Sequence, residues 1–303
     1  GNSETTTGNG GIALYSKEGR VNISANSKIT VGSTLGTGKE GVGVYLAGNN
    51  QTLNSDTDKL TIGQGSFGYV MTGQGNNVKT GLAGAPGEVT LSDDAVYMYS
   101  ADKTGIARNY ANVKSTGNEN YGIYALGAVE NYGNIDLRAG VGNIGVYSTQ
   151  GNSKNFGVIT VGPSNVTSKQ YGIGMATGYY NETTKVATNE GTIENHGTIN
   201  VSDDNSVGMY AAGSGSKAIN RGTINLSGNN TTGMYIDRFA TGENYGTIQT
   251  TPTANGAGIK GVVVANGGVI KNYGTINIAA SDTKSAGIWT DNADHAEEHA
   301  TGV

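Results

Sequence analysis

One repeated pattern limits what this chain can fold into. Residues Asn220 to Ile236 read N-R-G-T-I-N-L-S-G-N-N-T-T-G-M-Y-I, one copy of a two-part unit. The first part is N-x-G-T-I-N-h, with h apolar; the second, about ten residues on, is G-h-Y-h. The copy before it runs from Asn195 to Ala211, and weaker copies extend along the chain. Within Thr223-Ile224-Asn225-Leu226 the apolar residues alternate, the pattern of a strand with one buried face. The same inward pair stands at Ile29/Val31, Leu60/Ile62, Val89/Leu91, Ile135/Leu137, Ile159/Val161, Ile199/Val201 and Ile276/Ile278, with weaker copies at Val113 and Ile248. The glycine ahead of most of these strands is expected to supply a left-handed corner. The second part recurs as Gly122-Ile-Tyr-Ala, Gly145-Val-Tyr-Ser, Gly208-Met-Tyr-Ala and Gly233-Met-Tyr-Ile, with variants at Ala95-Val-Tyr-Met and Gly172-Ile-Gly-Met.

These landmarks return mostly every 23 to 28 residues. A period of that length means stacked units, none able to bury its apolar face alone. Helical repeats fit poorly, because the apolar period is 2 and glycine is everywhere. The expected fold is all-β: a right-handed parallel β-helix, or solenoid, of about eleven coils with two or three short strands per coil. Each strand then pairs with its counterpart one coil away, so eleven coils rising by ~4.8 Å make a rod of roughly 50 Å.

Stacking explains the residue choices. Asn109, Asn131, Asn155, Asn195, Asn220, Asn244 and Asn272 fall in one column, where amides can hydrogen-bond from coil to coil. The residues that follow them are Tyr110, Tyr132, Phe156, His196, Arg221, Tyr245 and Tyr273, a mixture that fits an outward column. Tyr45, Tyr97, Tyr124, Tyr147, Tyr210 and Tyr235 are read as a second outward column, stacked on one another along the rod.

The layout that follows is a flexible lead-in over 1–10, a β-helix over 11–290 and a non-repeat tail over 291–303. An insertion is expected at 177–194, because Gly172 and Asn195 lie 23 residues apart where neighbouring coils use 9 to 12. The abrupt start reads as a piece cut from a longer chain. No apolar run is long enough for a transmembrane helix. A net charge of −5 with scattered Lys and Arg argues against a nucleic-acid surface. The absence of cysteine excludes disulfides and thiolate metal sites. No cofactor is implied, and a monomeric rod is expected.

Two patterns could carry chemistry. The tail segment His295-Ala-Glu-Glu-His299 matches H-x-x-E-H, two imidazoles one helical turn apart beside a carboxylate. With no third ligand or helical domain in view, it reads as a solvated tail. Many β-helix proteins are polysaccharide lyases or hydrolases, which need clustered acids on an outward strand face. Here that outward position is Asp136, Thr160, Asn200, Asn225, Gln249 and Asn277, with a single acid, so the expectation is no enzyme.

At N-Y-G-T-I and G-M-Y-A the chain resembles the passenger segments of fusobacterial type V (type Va) autotransporter adhesins, best over residues 109–290. That resemblance implies an extracellular β-helix displayed on the bacterial outer membrane. It also implies a role in virulence-associated attachment to other bacteria or host cells, through a surface glycan or protein receptor. A spacer stalk that presents a binding domain elsewhere is the alternative, and a secreted glycan-active enzyme the third. The candidate ligand site lies where the repeat is broken. Tyr179, Tyr180 and Lys185 in the insertion, with Asn181 and Glu182, face the corner Asp237, Arg238 and Phe239 two coils later. Only the small Ala212-Gly-Ser-Gly-Ser216 segment lies between, so a groove about 10 Å wide is expected.

Overall fold

Alternating segments of four to six residues, separated by corners, leave each strand too short to be stable alone. In the computed structural model, which describes residues 3–291 and the backbone of 301–302, they are stabilised by stacking. Three parallel sheets of eleven strands each run the length of the molecule, and each coil contributes one strand to each sheet. The architecture is a parallel β-solenoid of the right-handed kind, without helices among the described residues.

The first sheet holds the T-I-N-h strands. Ile224 lies between Ile199 and Ile248 in register, and all three are fully buried. The outward side of this sheet carries an amide ladder: Asn225 Nδ2 donates to Asn200 Oδ1 at 3.0 Å, and Gln249 Nε2 to Asn225 Oδ1 at 3.0 Å. The second sheet holds the G-h-Y-h strands, with Met209 and Met234 inward and Tyr210 and Tyr235 outward. The third sheet is made of segments such as Lys217–Asn220 and ends on the repeated asparagine.

That asparagine column is an unbroken interior ladder. Nδ2 of Asn109, Asn131, Asn155, Asn195, Asn220 and Asn244 each donates to Oδ1 of the next member at 2.9 Å, ending at Asn272. Members 109 to 244 are fully buried. The residues after them stack outside: Tyr110 on Tyr132 at 4.8 Å between centroids, Tyr132 on Phe156 at 5.1 Å, Phe156 on His196 at 4.8 Å. Arg221 continues the column over the Tyr245 ring at 4.5 Å, and Tyr245 stacks on Tyr273.

Several sequence expectations change. Tyr97 is fully buried, not outward. Met98 pairs in register with Ile123 and Tyr99 with Tyr124, so Tyr99 is the member of the outward column and Tyr97 occupies the repeat glycine's place. Its hydroxyl lies 2.6 Å from Thr80 Oγ1 and 2.8 Å from Asn109 Oδ1, at the start of the amide ladder. Burial pushes the Tyr97 phenol well above its ordinary pKa. The repeat glycine of the variant coil is Gly174, beside Ile173 and Met175, and not Gly172. The corner glycines do not adopt positive φ: Gly197, Gly222 and Gly246 are absent from the left-handed set. They are needed because a Cβ on Gly222 would collide with the Gly197 carbonyl of the coil before. Ser3–Thr6, expected in a flexible lead-in, forms a strand paired with Ser27–Thr30. The H-x-x-E-H segment lies outside the described residues.

Two pairs of substitutions test this packing in denaturant or thermal melts. Asn220→Ala strands Asn244 Oδ1 in the interior and leaves Asn195 Nδ2 only its 3.3 Å contacts to the Gly197 and Thr223 carbonyls, with an expected loss of about 2 kcal/mol. Arg221→Ala removes a half-exposed ring contact, with a loss below about 1 kcal/mol. Equal losses would mean that the amides are solvated. Ile224→Asp buries an unpaired carboxylate and should cost several kcal/mol, where Asn225→Asp on the outer face costs under about 1 kcal/mol. Coincident melts for the second pair would overturn the inward assignment of Ile224.

Candidate functional site

Among the described residues, the rod gives rise to one antiparallel hairpin. Thr177 ends a strand of the second sheet, paired with Ser148 and Ala211, and Gly178 at φ +86° turns the chain outward. Tyr179–Asn181 then pairs antiparallel with Val186–Thr188 as a hairpin. Asn181 shapes its tip: Oδ1 accepts from the Thr183 and Thr184 amides at 2.9 and 3.0 Å, and the Lys185 amide donates to the Asn181 carbonyl at 2.7 Å. The Gly178 amide donates to the Asn189 carbonyl at 2.9 Å and closes the base. The segment Thr192–Asn195 is back in the third sheet, between Asn152–Asn155 and Lys217–Asn220. The part of 177–194 that leaves the coil is thus the hairpin and its base.

Two coils later the strand Thr232–Asp237 ends in a tight turn, closed by the Ala240 amide donating to the Asp237 carbonyl at 3.0 Å. Its central residues, Arg238 and Phe239, sit at φ +46° and +68°. Turns of this kind normally take Asn or Gly there, and a bulky residue at positive φ costs about 1–2 kcal/mol. This is the only consecutive non-glycine pair at positive φ among the described residues.

The turn sends Arg238 back toward the hairpin, past the small residues of the corner between them. Its guanidinium lies 4.8 Å from the Tyr180 ring centroid, and Nη2 is ion-paired with Glu182 Oε1. The Arg238 side chain is 6% exposed against 65% for Glu182, so the cation, not its partner, is the buried member. Arg238 Nε and Nη1 have no protein hydrogen-bond partner. Ala187 and Glu190 approach so closely over Gly213 that a side chain there would collide with them.

The six residues singled out from sequence therefore take different places. Tyr180 and Arg238 are in contact, with Glu182 completing the group. Asp237 faces the other way: its Oδ1 accepts from Asn266 Nδ2 and from the Arg238 amide, both at 2.9 Å, and its Oδ2 from the Tyr210 hydroxyl at 3.3 Å. Burial pushes the Asp237 carboxyl up, against the opposing hydrogen bond from Asn266. Phe239 is 44% exposed and lies over Gly267 of the next coil. Tyr179 and Lys185 are exposed on the hairpin. The expected groove does not stand open along its length, because Arg238 spans it. Sequence reasoning missed Tyr171, which lies with Tyr210, Tyr235 and Asp237 around a cleft beside the hairpin. The signal available was Ala176, which interrupts the tyrosine column between Tyr147 and Tyr210.

Elsewhere several outer acids are engaged with cations or amides, while Asp94 lies against Glu119 in neighbouring turns, and burial followed by that carboxylate pushes the Asp94 carboxyl up. Asp136 holds Arg138 at 2.8 Å, Glu243 holds Lys217 at 2.8 Å, and Glu194 Oε2 accepts from Asn152 at 2.9 Å. Among the described residues no group of three or more His, Asp or Glu side chains is placed to hold a metal ion. No helix of the described residues is long and apolar enough to cross a membrane.

The model of one domain family, the BigA third pectate lyase-like domain, matches residues 1–245. The chain belongs to this family. It is a family of bacterial autotransporter-type passenger domains. Neither the curated proteins nor the solved structures contain a match to the chain.

The Arg238 clasp makes a local prediction within this passenger domain. Arg238→Ala removes both the Glu182 pair and the Tyr180 contact. Amide exchange in residues 179–188 should accelerate at least about tenfold, while the global melting temperature moves by only a few degrees. Unchanged exchange in the hairpin would mean that it is held by its own hydrogen bonds.

Proposed function

We propose that this chain is the passenger segment of a cell-surface autotransporter adhesin. It binds another bacterium or a host cell without catalysis, through a receptor that is a surface glycan or protein. The observation that carries the reading is the outer surface. Its columns are amides and rings already stacked on one another, strand-face acids such as Asp136 and Glu243 are paired with cations, and the close acids Asp94 and Glu119 lie in turns, so a carboxylate pair of the kind glycan cleavage needs is not among these strand-face groups. Membership in an autotransporter-type passenger family supports display outside the cell.

Within this reading the contact surface is the hairpin with the turn two coils on. Tyr179, Tyr180 and Lys185 stand on the hairpin and Phe239 on the turn, with Arg238 clasped between the two and Asp237 turned to the other side, and exposed loops on a rigid scaffold are where recognition concentrates. Tyr179 and Phe239, both exposed, offer ring surface, and Lys185 offers charge at the tip.

The test replaces residues 179–188 with a short Gly-Ser turn, leaving Thr177 and Gly178 in place. Arg238→Ala/Phe239→Ala is made separately. Both proteins should keep melting temperatures within a few degrees of the parent and lose at least about tenfold in attachment to bacterial or epithelial cells. Parent-like attachment by either variant removes the hairpin from the receptor site. Absence of attachment by the parent itself favours a spacer role, and turnover of glycans by the purified chain favours an enzyme.

A further inference from the structure

The outward face of the second sheet carries a cleft of about 350 Å³ lined by Tyr171, Ile173, Val207, Tyr210, Tyr235 and Asp237. Ile173 and Val207 are register neighbours and form an aliphatic floor. Tyr210 packs on Tyr235 with centroids 5.7 Å apart and planes tilted by 31°. On Tyr210's other side the column position is Ala176, so the row of rings is interrupted there. Tyr171 is exposed and stands at the cleft's edge. Asp237 closes one end, with Oδ1 occupied by two hydrogen bonds and Oδ2 holding only the 3.3 Å contact from Tyr210.

We propose that this cleft binds a trimethylammonium group, as in choline or a phosphocholine headgroup. The choice of ligand follows from what the cleft can and cannot satisfy. A sugar would set several hydroxyls against two aliphatic side chains, three tyrosine hydroxyls of which one already donates to Asp237, and one partly used carboxylate oxygen, fewer partners than its hydroxyls need. A primary ammonium brings three N–H donors to the same shortage of acceptors. A trimethylammonium group needs no hydrogen bond. It gains van der Waals contact with the floor, attraction to the tyrosine rings, and the field of the carboxylate. Asp237 is the one charged side chain in the cleft lining, and it is an acid, so the local charge favours a cation as well.

The same sheet face already holds a cation on an aromatic ring. Lys260 lies two rungs from Val207 in the outward column, and its Nζ sits 4.9 Å from the Trp289 centroid. The proposal is independent of the adhesion reading, because its readout is a small cation and not a cell.

The experiment titrates protein labelled on its tyrosine rings, observed by NMR. The titrants are choline and its uncharged isostere 3,3-dimethylbutan-1-ol. Choline should shift the Tyr171, Tyr210 and Tyr235 signals and bind at least about tenfold more tightly than the isostere. Asp237→Asn and Tyr171→Ala should each weaken choline about tenfold; Tyr171 is exposed, so that variant keeps the fold even if the first does not. Phosphatidylcholine vesicles, set against phosphatidylglycerol vesicles, then separate the sources: capture by the former identifies a headgroup, and binding of free choline alone identifies the soluble cation. Equal affinity for the isostere, equal shifts with N-acetylglucosamine, or no tyrosine shift with choline overturns the assignment.

Discussion

Coil-to-coil register is the constraint on which everything else in this molecule depends. A strand of four residues has no stability of its own; it gains its hydrogen bonds only by lying directly over the equivalent strand of the preceding coil. The buried asparagine ladder enforces that alignment. A slip of one residue in any coil from Asn109 to Asn272 would break amide pairs in the interior, at about 1–3 kcal/mol for each group left unpaired. Where the ladder begins, the chain solves the same problem with different residues. Tyr97 inserts at the repeat-glycine position and places its hydroxyl beside Asn109 and Thr80, and one coil earlier Tyr69 reaches Ser55 at 2.7 Å. A large ring with a polar tip replaces an amide with a glycine opposite it, and the interior polar line continues.

The amino-acid sequence displays the first sheet and most of the second plainly, because their inward residues are large and alternate with polar ones. The third sheet is nearly silent. Its inward positions include Ala107, Ser153, Ala218 and Gly242, too small or too polar to register as a hydrophobic period. Only the terminal asparagine marks it, and that residue reads equally well as the start of the next strand. Tyr97 and Tyr99 illustrate a sharper limit. Tyr97 and Tyr99 flank Met98 and share one parity, so alternation cannot say which belongs to the outward column, and only pairing with Ile123 and Tyr124 chooses between them. The corner glycines were legible as necessary, but for the wrong reason: the neighbouring carbonyl, an inter-coil contact, requires them, and no local pattern reveals it.

The candidate site was legible as an interruption. Counting residues between landmarks locates the extra chain, and comparing corners picks out Asp237, Arg238 and Phe239. What the count cannot supply is the reach of Arg238. That depends on the small corner between, on the left-handed turn that aims the side chain, and on a hairpin whose strands set Tyr180 and Glu182 at the right height. These are three separate segments whose agreement exists only in the stacked structure. The tyrosine cleft escaped for a related reason: Tyr171 lies outside the repeat, and Ala176 looks unremarkable unless the ring missing from its column is noticed.

Strain at the turn and the position of the hairpin are two sides of one arrangement. Most non-glycine left-handed residues in this rod, such as Asn50, Asp94, Asn205, Asn230 and Asn266, carry short polar side chains that tolerate the conformation. Arg238 and Phe239 do not, and together they cost about 2–4 kcal/mol. A turn with Asn and Gly would close the same coil at lower cost, so the turn's own geometry does not explain these residues. The offset has to come from what the strained backbone makes reachable: the Tyr180 face and the Glu182 carboxylate for Arg238, and the surface over Gly267 for Phe239. Remove the hairpin and the strain is uncompensated; relax the turn and the hairpin loses its clasp. The repeat sets up a rod whose coils are nearly interchangeable, and this mutual dependence is what makes two of its corners distinct from the rest.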